Sequence, residues 1–226
     1  MKKALTAIIS YLALIIIIPE LVLLFLKLFI DNEVLISALG NFIIYIFLTV
    51  TIICIYGKDL KSEWKRFKSS NNKTENLITS YLLCLAGSMI GSFILNLMGL
   101  GDTDSVNQKE IVSMLHSNYA LLIIPTILLA PLIEELVFRK AIFTVFEDTW
   151  HFSSYAVILV SAILFGLLHV IFNLDQGIQE LLMAIPYVTI GLGLAFSYVK
   201  NDHIIIYPIF AHFVNNLLSI IIIFIM

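Results

Sequence analysis

Charge is what this chain has least of. Only 13% of its 226 residues are Asp, Glu, Lys or Arg, about half the share of an ordinary soluble domain. So few charges cannot cover a water-soluble globule of this size. Sixty per cent of the residues are hydrophobic and the mean hydropathy is +1.01, which leaves the bilayer as the solvent. Cysteine is nearly absent as well. Cys54 and Cys84 sit alone in apolar runs, without a CxxC spacing, so a disulfide framework and a zinc finger are excluded and both read as small core hydrophobes. No segment alternates with a strand period. No internal repeat appears, which gives an inverted-repeat transporter no support. A net charge of −3 says little about partners when most of the surface faces lipid, and no nucleic-acid partner is expected.

What the chain has is long apolar runs. A span needs roughly 20 such residues, and the runs near 5–29, 34–56, 77–99, 118–146, 153–173, 178–199 and 204–225 satisfy that. The expected fold is all-α, a polytopic membrane bundle of about seven transmembrane helices in one compact domain. Helices one to three fill 1–117, and helices four to seven fill 118–226. The first apolar run follows Met-Lys-Lys but is too long for a signal-peptide core and lacks a cleavage site, so it reads as a retained helix. Pro186, Gly191 and Gly193 predict a kink and close packing in the sixth span. The stretch "GKDLKSEWKRFKSSNNKTEN" (57–76) holds six of the chain's lysines and arginines, whereas "GDTDSVNQKE" is acidic. The positive-inside rule then predicts a cytoplasmic N-terminus, a basic cytoplasmic loop at 57–76 and an outer loop at 100–117. The basic loop also suits anionic membrane lipids or an acidic partner.

Ionisable groups within spans are expensive and usually functional. Glu134, Glu135 and Arg139 follow an uncharged run in "PLIEELVFR", His169 lies in "LFGLLHVIF", and His212 and Asn216 lie in "IFAHFVNNLL"; Glu20 and Glu180 are also intramembrane. Glu135 and Arg139 are i,i+4 on one face and can neutralise each other. Glu134 is turned about 100° from Glu135 and roughly 140° from Arg139, so it lacks that partner. Either both acids form a packing device, or Glu134 is the reactive carboxylate. Phe165 shares a helix face with His169, and His212 shares one with Asn216. Glu with His can deprotonate water, and His with Asn can donate to an oxyanion, which together are ingredients of peptide-bond hydrolysis. Counting residues from the helix ends places these groups near mid-membrane or in its cytoplasmic half.

The order and spacing of EExxxR (Glu134, Glu135, Arg139), FxxxH (Phe165, His169) and HxxxN (His212, Asn216) resemble the CPBP intramembrane proteases. These comprise the CAAX proteases and bacteriocin-processing enzymes, also called the Abi family. The resemblance covers about 118–226 and implies a helical membrane endopeptidase of the bacterial cell membrane. Eukaryotic members remove three terminal residues from prenylated CAAX proteins, and bacterial members are linked to peptide maturation and bacteriocin self-immunity. By the same resemblance Glu134 would activate water with His169, His212 and Asn216 would stabilise the oxyanion, and Glu135, Arg139 and Phe165 would support the site. The substrate would be a peptide or a lipid-modified peptide tail. The N-terminal part is smaller than in the eight-helix eukaryotic relatives. No cofactor is expected. The metalloprotease alternative would use Glu134, His169 and His212 on zinc, but HExxH is absent and Asn216 is a poor zinc ligand.

Three decoys and two rivals complete the reading. "GLGD" (99–102) lacks the second intramembrane aspartate an aspartyl protease needs. "GSMIGS" (87–92) has the spacing of helix packing, not of a serine nucleophile. "NKT" (72–74) falls on the cytoplasmic side. A proton-coupled transporter would use Glu134, His169 and Glu180 as a relay. A non-enzymatic immunity or membrane partner-binding protein would keep its function without Glu134.

Overall fold

The computed structural model describes residues 1–225 and, at 116–118, the backbone only. Among them there is no strand. The chain is a run of helices: α1 (Lys2–Leu26), α2 (Glu33–Ser69), α3 (Lys73–Leu97), α4 (Val106–Ile123), α5 (Ala130–Glu135), α6 (Ser154–Leu168), α7 (Ile178–Leu182), α8 (Ala184–Lys200) and α9 (Ile206–Ile225). Six helical stretches are long and apolar enough to cross a membrane, and α6 is a shorter apolar helix beside them. The protein is thus an integral membrane helical bundle. Start signals in the sequence are used as such: Asn32, Ser105 and Ser153 each accept a hydrogen bond from the backbone N–H three residues on, opening α2, α4 and α6. Isoleucine and leucine of α1 and α9 lie exposed on the outer surface, as a lipid-facing belt requires.

The basic stretch at 57–76 is not a loop. It stays helical to Ser69 because it has no proline and is rich in Lys, Glu, Arg and Leu, all good helix formers. One face of this extension is fastened to the body. The buried Glu63 carboxylate accepts from Lys140 Nζ at 2.8 Å and Arg66 Nη1 at 3.2 Å. The backbone N–H of Ile205 donates to it at 3.4 Å. Lys3 pairs with Asp59 at the same end. The bundle therefore has a lysine-rich end and, opposite it, an end built from the α3–α4 connection and the 169–183 segment.

Two further differences place the site. The expected outer loop is helical from Val106, and the helical path from there to Thr149 changes pitch three times. Single π-helical turns occupy Ile124–Leu129, Leu136–Ala141 and Thr144–Thr149. This path bends. Twenty-nine residues of straight helix from Ser105 to Glu134 would span roughly 43 Å. Yet a chain of contacts through Tyr187, His169, Phe165 and His212 joins these two residues, and no contact in it is longer than 5.7 Å. Pro125 in the first π turn supplies the bend. The second difference is the expected sixth span, which breaks at Met183 into α7 and α8 just ahead of Pro186.

α3 and α8 pack almost backbone to backbone. A Cβ at Gly87 would lie 2.2 Å from the carbonyl oxygen of Thr189, and one at Gly193 would lie 2.3 Å from that of Leu83. Main-chain atoms cannot swing aside, so the "GSMIGS" spacing is a packing seam. Gly87→Val is expected to destabilise the bundle by about 1–3 kcal/mol or more, read as an earlier unfolding midpoint in detergent.

Candidate active site

Glu135, completely buried, is held from two directions. Arg139 Nε lies 3.0 Å from Oε2 within the same helical path, and His212 Nδ1 on α9 lies 2.9 Å from Oε1. The i,i+4 pair expected from the sequence is present. Its bond to His212 could not be read from spacing, because α9 lies 77 residues away. The Arg139 guanidinium also donates through Nη2 to the Gly191 carbonyl at 3.3 Å and sits 4.8 Å from the centre of the Phe165 ring. Its Nη1 has no hydrogen-bond partner. Phe165 has four neighbours at once: Arg139, the edge of Phe138, His169 and His212. That explains the four-residue spacing to His169 in physical terms, since one aromatic ring seats both histidines.

The two histidines are oriented differently from one another. α6 ends at Leu168 with a tightened last turn, so the N–H of His169 goes to Gly166 and the Phe165 carbonyl is left free. The His169 ring takes that carbonyl at 2.7 Å with Nδ1. A carbonyl only accepts, so Nδ1 carries the proton and Nε2 keeps a lone pair. The ring lies flat against Tyr187, with centroids 4.3 Å apart and planes 17° apart. His212 Nδ1 faces a carboxylate and is likewise the donor, which turns Nε2 toward Glu134 Oε2 at 3.9 Å. The histidine in contact with Glu134 is therefore His212, whereas the sequence paired Glu134 with His169. Glu134 itself is 6% exposed and carries no hydrogen bond among the described residues. Asn216 donates one amide proton to the Thr126 carbonyl at 2.9 Å and keeps another.

Glu134, His169, His212 and Asn216 all line one cavity of about 510 Å³. α2 and α3 complete its wall with Asn41, Tyr45, Ser88 and Ser92, so the N-terminal helices build the chamber in which the motifs meet. Its exposed lining residues, among them Thr103, Asp104, Glu110 and Ser219, all lie toward the end away from the lysines. The cavity thus opens at the end of the bundle opposite the lysines. Tyr187, which the sequence did not single out, joins mouth to site: its hydroxyl pairs with Ser105 at 3.0 Å and accepts from Asn107 at 3.1 Å. Glu180, named in the sequence as an ionisable residue and as a member of the rival transporter's relay, accepts the Val106 N–H at 3.0 Å and fastens the start of α4. Among the described residues no three His, Cys, Asp or Glu side chains gather as a metal set. Glu134 and His212 approach each other at 3.9 Å, whereas the His169 contacts are to the Phe165 carbonyl and the rings of Phe165 and Tyr187.

Residues 116–218 match the family model described as "Type II CAAX prenyl endopeptidase Rce1-like". That segment contains all seven motif residues, and through it the chain is similar to the CPBP, or CAAX protease, family. Two curated relatives extend the similarity. YdiL of Bacillus subtilis, whose name assigns it provisionally to the membrane peptidases, is 29% identical over 154 residues, 65% of this chain and 57% of its own length. An uncharacterised protein of Mycoplasma capricolum is 30% identical over 188 residues, 77% of this chain and 52% of its own. The chain spans just over half the length of these relatives. No solved structure is significantly similar.

Proposed function

We propose that this protein is an intramembrane endopeptidase of a bacterial cell membrane, with Glu134 as the base that activates water. The observation that carries the reading is the state of Glu134. It is a carboxylate held in a membrane chamber without a hydrogen bond among the described residues, 3.9 Å from His212 Nε2 and lining the same cavity as His169, and the Nδ1 atoms of both histidines are committed elsewhere. A carboxylate left so under-solvated is a strong base for a water bound in the cavity. The lone pair on His169 Nε2 can hold that water. His212 is kept in place by Glu135, and its Nε2, once protonated, donates to the oxyanion beside the second amide proton of Asn216. Glu135 and Arg139 position His212 and keep a neutral pair behind the reacting groups. No step uses a metal. With the lysine-rich end in the cytoplasm, as the positive-inside rule reads it, the mouth of the cavity faces the other side. The biological role within this reading is peptide maturation, CAAX-type tail processing or self-immunity.

The test is a membrane-peptide library presented to the reconstituted protein, with products identified by mass spectrometry. Wild type is expected to yield discrete products. Asn216→Ala should slow their formation about 10²–10³-fold, the usual effect of losing one oxyanion donor. A phenotype that survives Glu134→Gln with no cleavage by the wild type would replace catalysis by partner binding.

A further inference from the structure

The charges that line the cavity are of one sign. They are Asp104, Glu110 and Glu134, with the two histidines, and no lysine or arginine lines it among the described residues. Arg139 is fully buried behind Glu135 and does not line it. The α3–α4 connection adds Asp102, and the first turns of α4 carry one cation, Lys109. Of these acids Glu134 is more than nine-tenths buried, without a hydrogen bond among the described residues, and directed into the same space. The rest of the polar lining is neutral: Asn41, Ser88, Ser92, Asn107 and Thr126 among others. Low-dielectric walls focus such a field, because little solvent is present to screen it. Partial burial already raises the Glu110 carboxyl above its ordinary range, a strain that a cationic neighbour would relieve.

Resting on the protease reading above, we infer that the cavity selects a peptide with lysine or arginine side chains flanking the scissile bond. It selects against one that brings a free terminal carboxylate into the chamber. A carboxylate there would pass Asp104 and Glu110 at the mouth and meet Glu134 inside, with no lysine or arginine in the lining among the described residues. A basic flank would meet Asp104 and Glu110 at the mouth while its neutral backbone reached Glu134. The CAAX-type substrate geometry, with a carboxylate three residues from the cut, is disfavoured for this chain by the same lining.

The experiment uses the full chain in neutral phosphatidylcholine nanodiscs, so that the lipid surface adds no charge. Fluorescent membrane peptides identical except for two Lys, two Gln or two Glu flanks are titrated, and binding and cleavage are followed separately. The Lys peptide is expected to bind at least about tenfold more tightly than the Glu peptide at low salt. That margin should shrink as salt is raised and should collapse in the Asp104→Asn, Glu110→Gln double variant. Equal binding of the three peptides, or a margin unchanged in the double variant, overturns the inference. Selective binding without cleavage of any peptide would uphold the charge selection and overturn the protease reading instead, so the two failures are distinguishable.

Discussion

Arg139→Met is expected to be the most destabilising single substitution in the chain. It removes the counter-charge 3.0 Å from a carboxylate with no exposed surface. An uncompensated charge in such a place costs about 3–5 kcal/mol, on the order of half the stability of a typical domain. The measurement is the unfolding midpoint in detergent, with the yield of folded protein. The double variant Arg139→Met, Glu135→Gln removes both charges together and is expected to recover most of the loss, since the pair itself contributes little net stability once desolvation is counted. Activity should not return with it, because His212 Nδ1 then faces a neutral amide in place of a carboxylate.

Glu134→Gln is expected to have the converse profile. The amide has nearly the same shape, and the wild-type carboxylate forms no hydrogen bond among the described residues that the change would break. Stability should be unchanged or slightly raised, because a buried charge is replaced by a neutral group. Peptide cleavage should fall about 10²–10⁴-fold, the range for losing a positioned general base. Adjacent residues of one hexapeptide thus divide: substitution on the Glu135–Arg139 side is expected to break the fold, and substitution of Glu134 the chemistry.

The geometric part of that division, the Glu135–Arg139 pair, was legible in the sequence because it follows from helical angle alone. Glu135 and Arg139 are four residues apart and Glu134 faces elsewhere. The membrane class was legible for a similar reason, since long uncharged runs have few other uses. What could not be read were the contacts between helices. Glu135 reaches His212 across 77 residues and Ser105 reaches Tyr187 across 82. Neither pairing leaves a periodic trace. The contact between Glu134 and His212 left no trace in the spacing, nor did the capture of the His169 ring by the carbonyl freed at the end of α6. The chain between Gly57 and Ser69 was read as a loop because its charge was taken as a break, whereas the same residues favour helix and Glu63 fastens them. The bend before Glu134, which brings the acidic mouth over the site, was signalled only by the prolines of that path, Pro125 and Pro131.

The central claim is that Glu134 activates water without a metal. It is tested most directly by single-turnover cleavage of one identified peptide, by wild type and by Glu134→Gln, each with and without a zinc chelator. The account predicts that wild type cleaves at the same rate in chelator, and that Glu134→Gln is at least about 10²-fold slower in both conditions. Loss of wild-type cleavage on chelation with recovery on added zinc would contradict it, as would a Glu134→Gln rate close to that of the wild type.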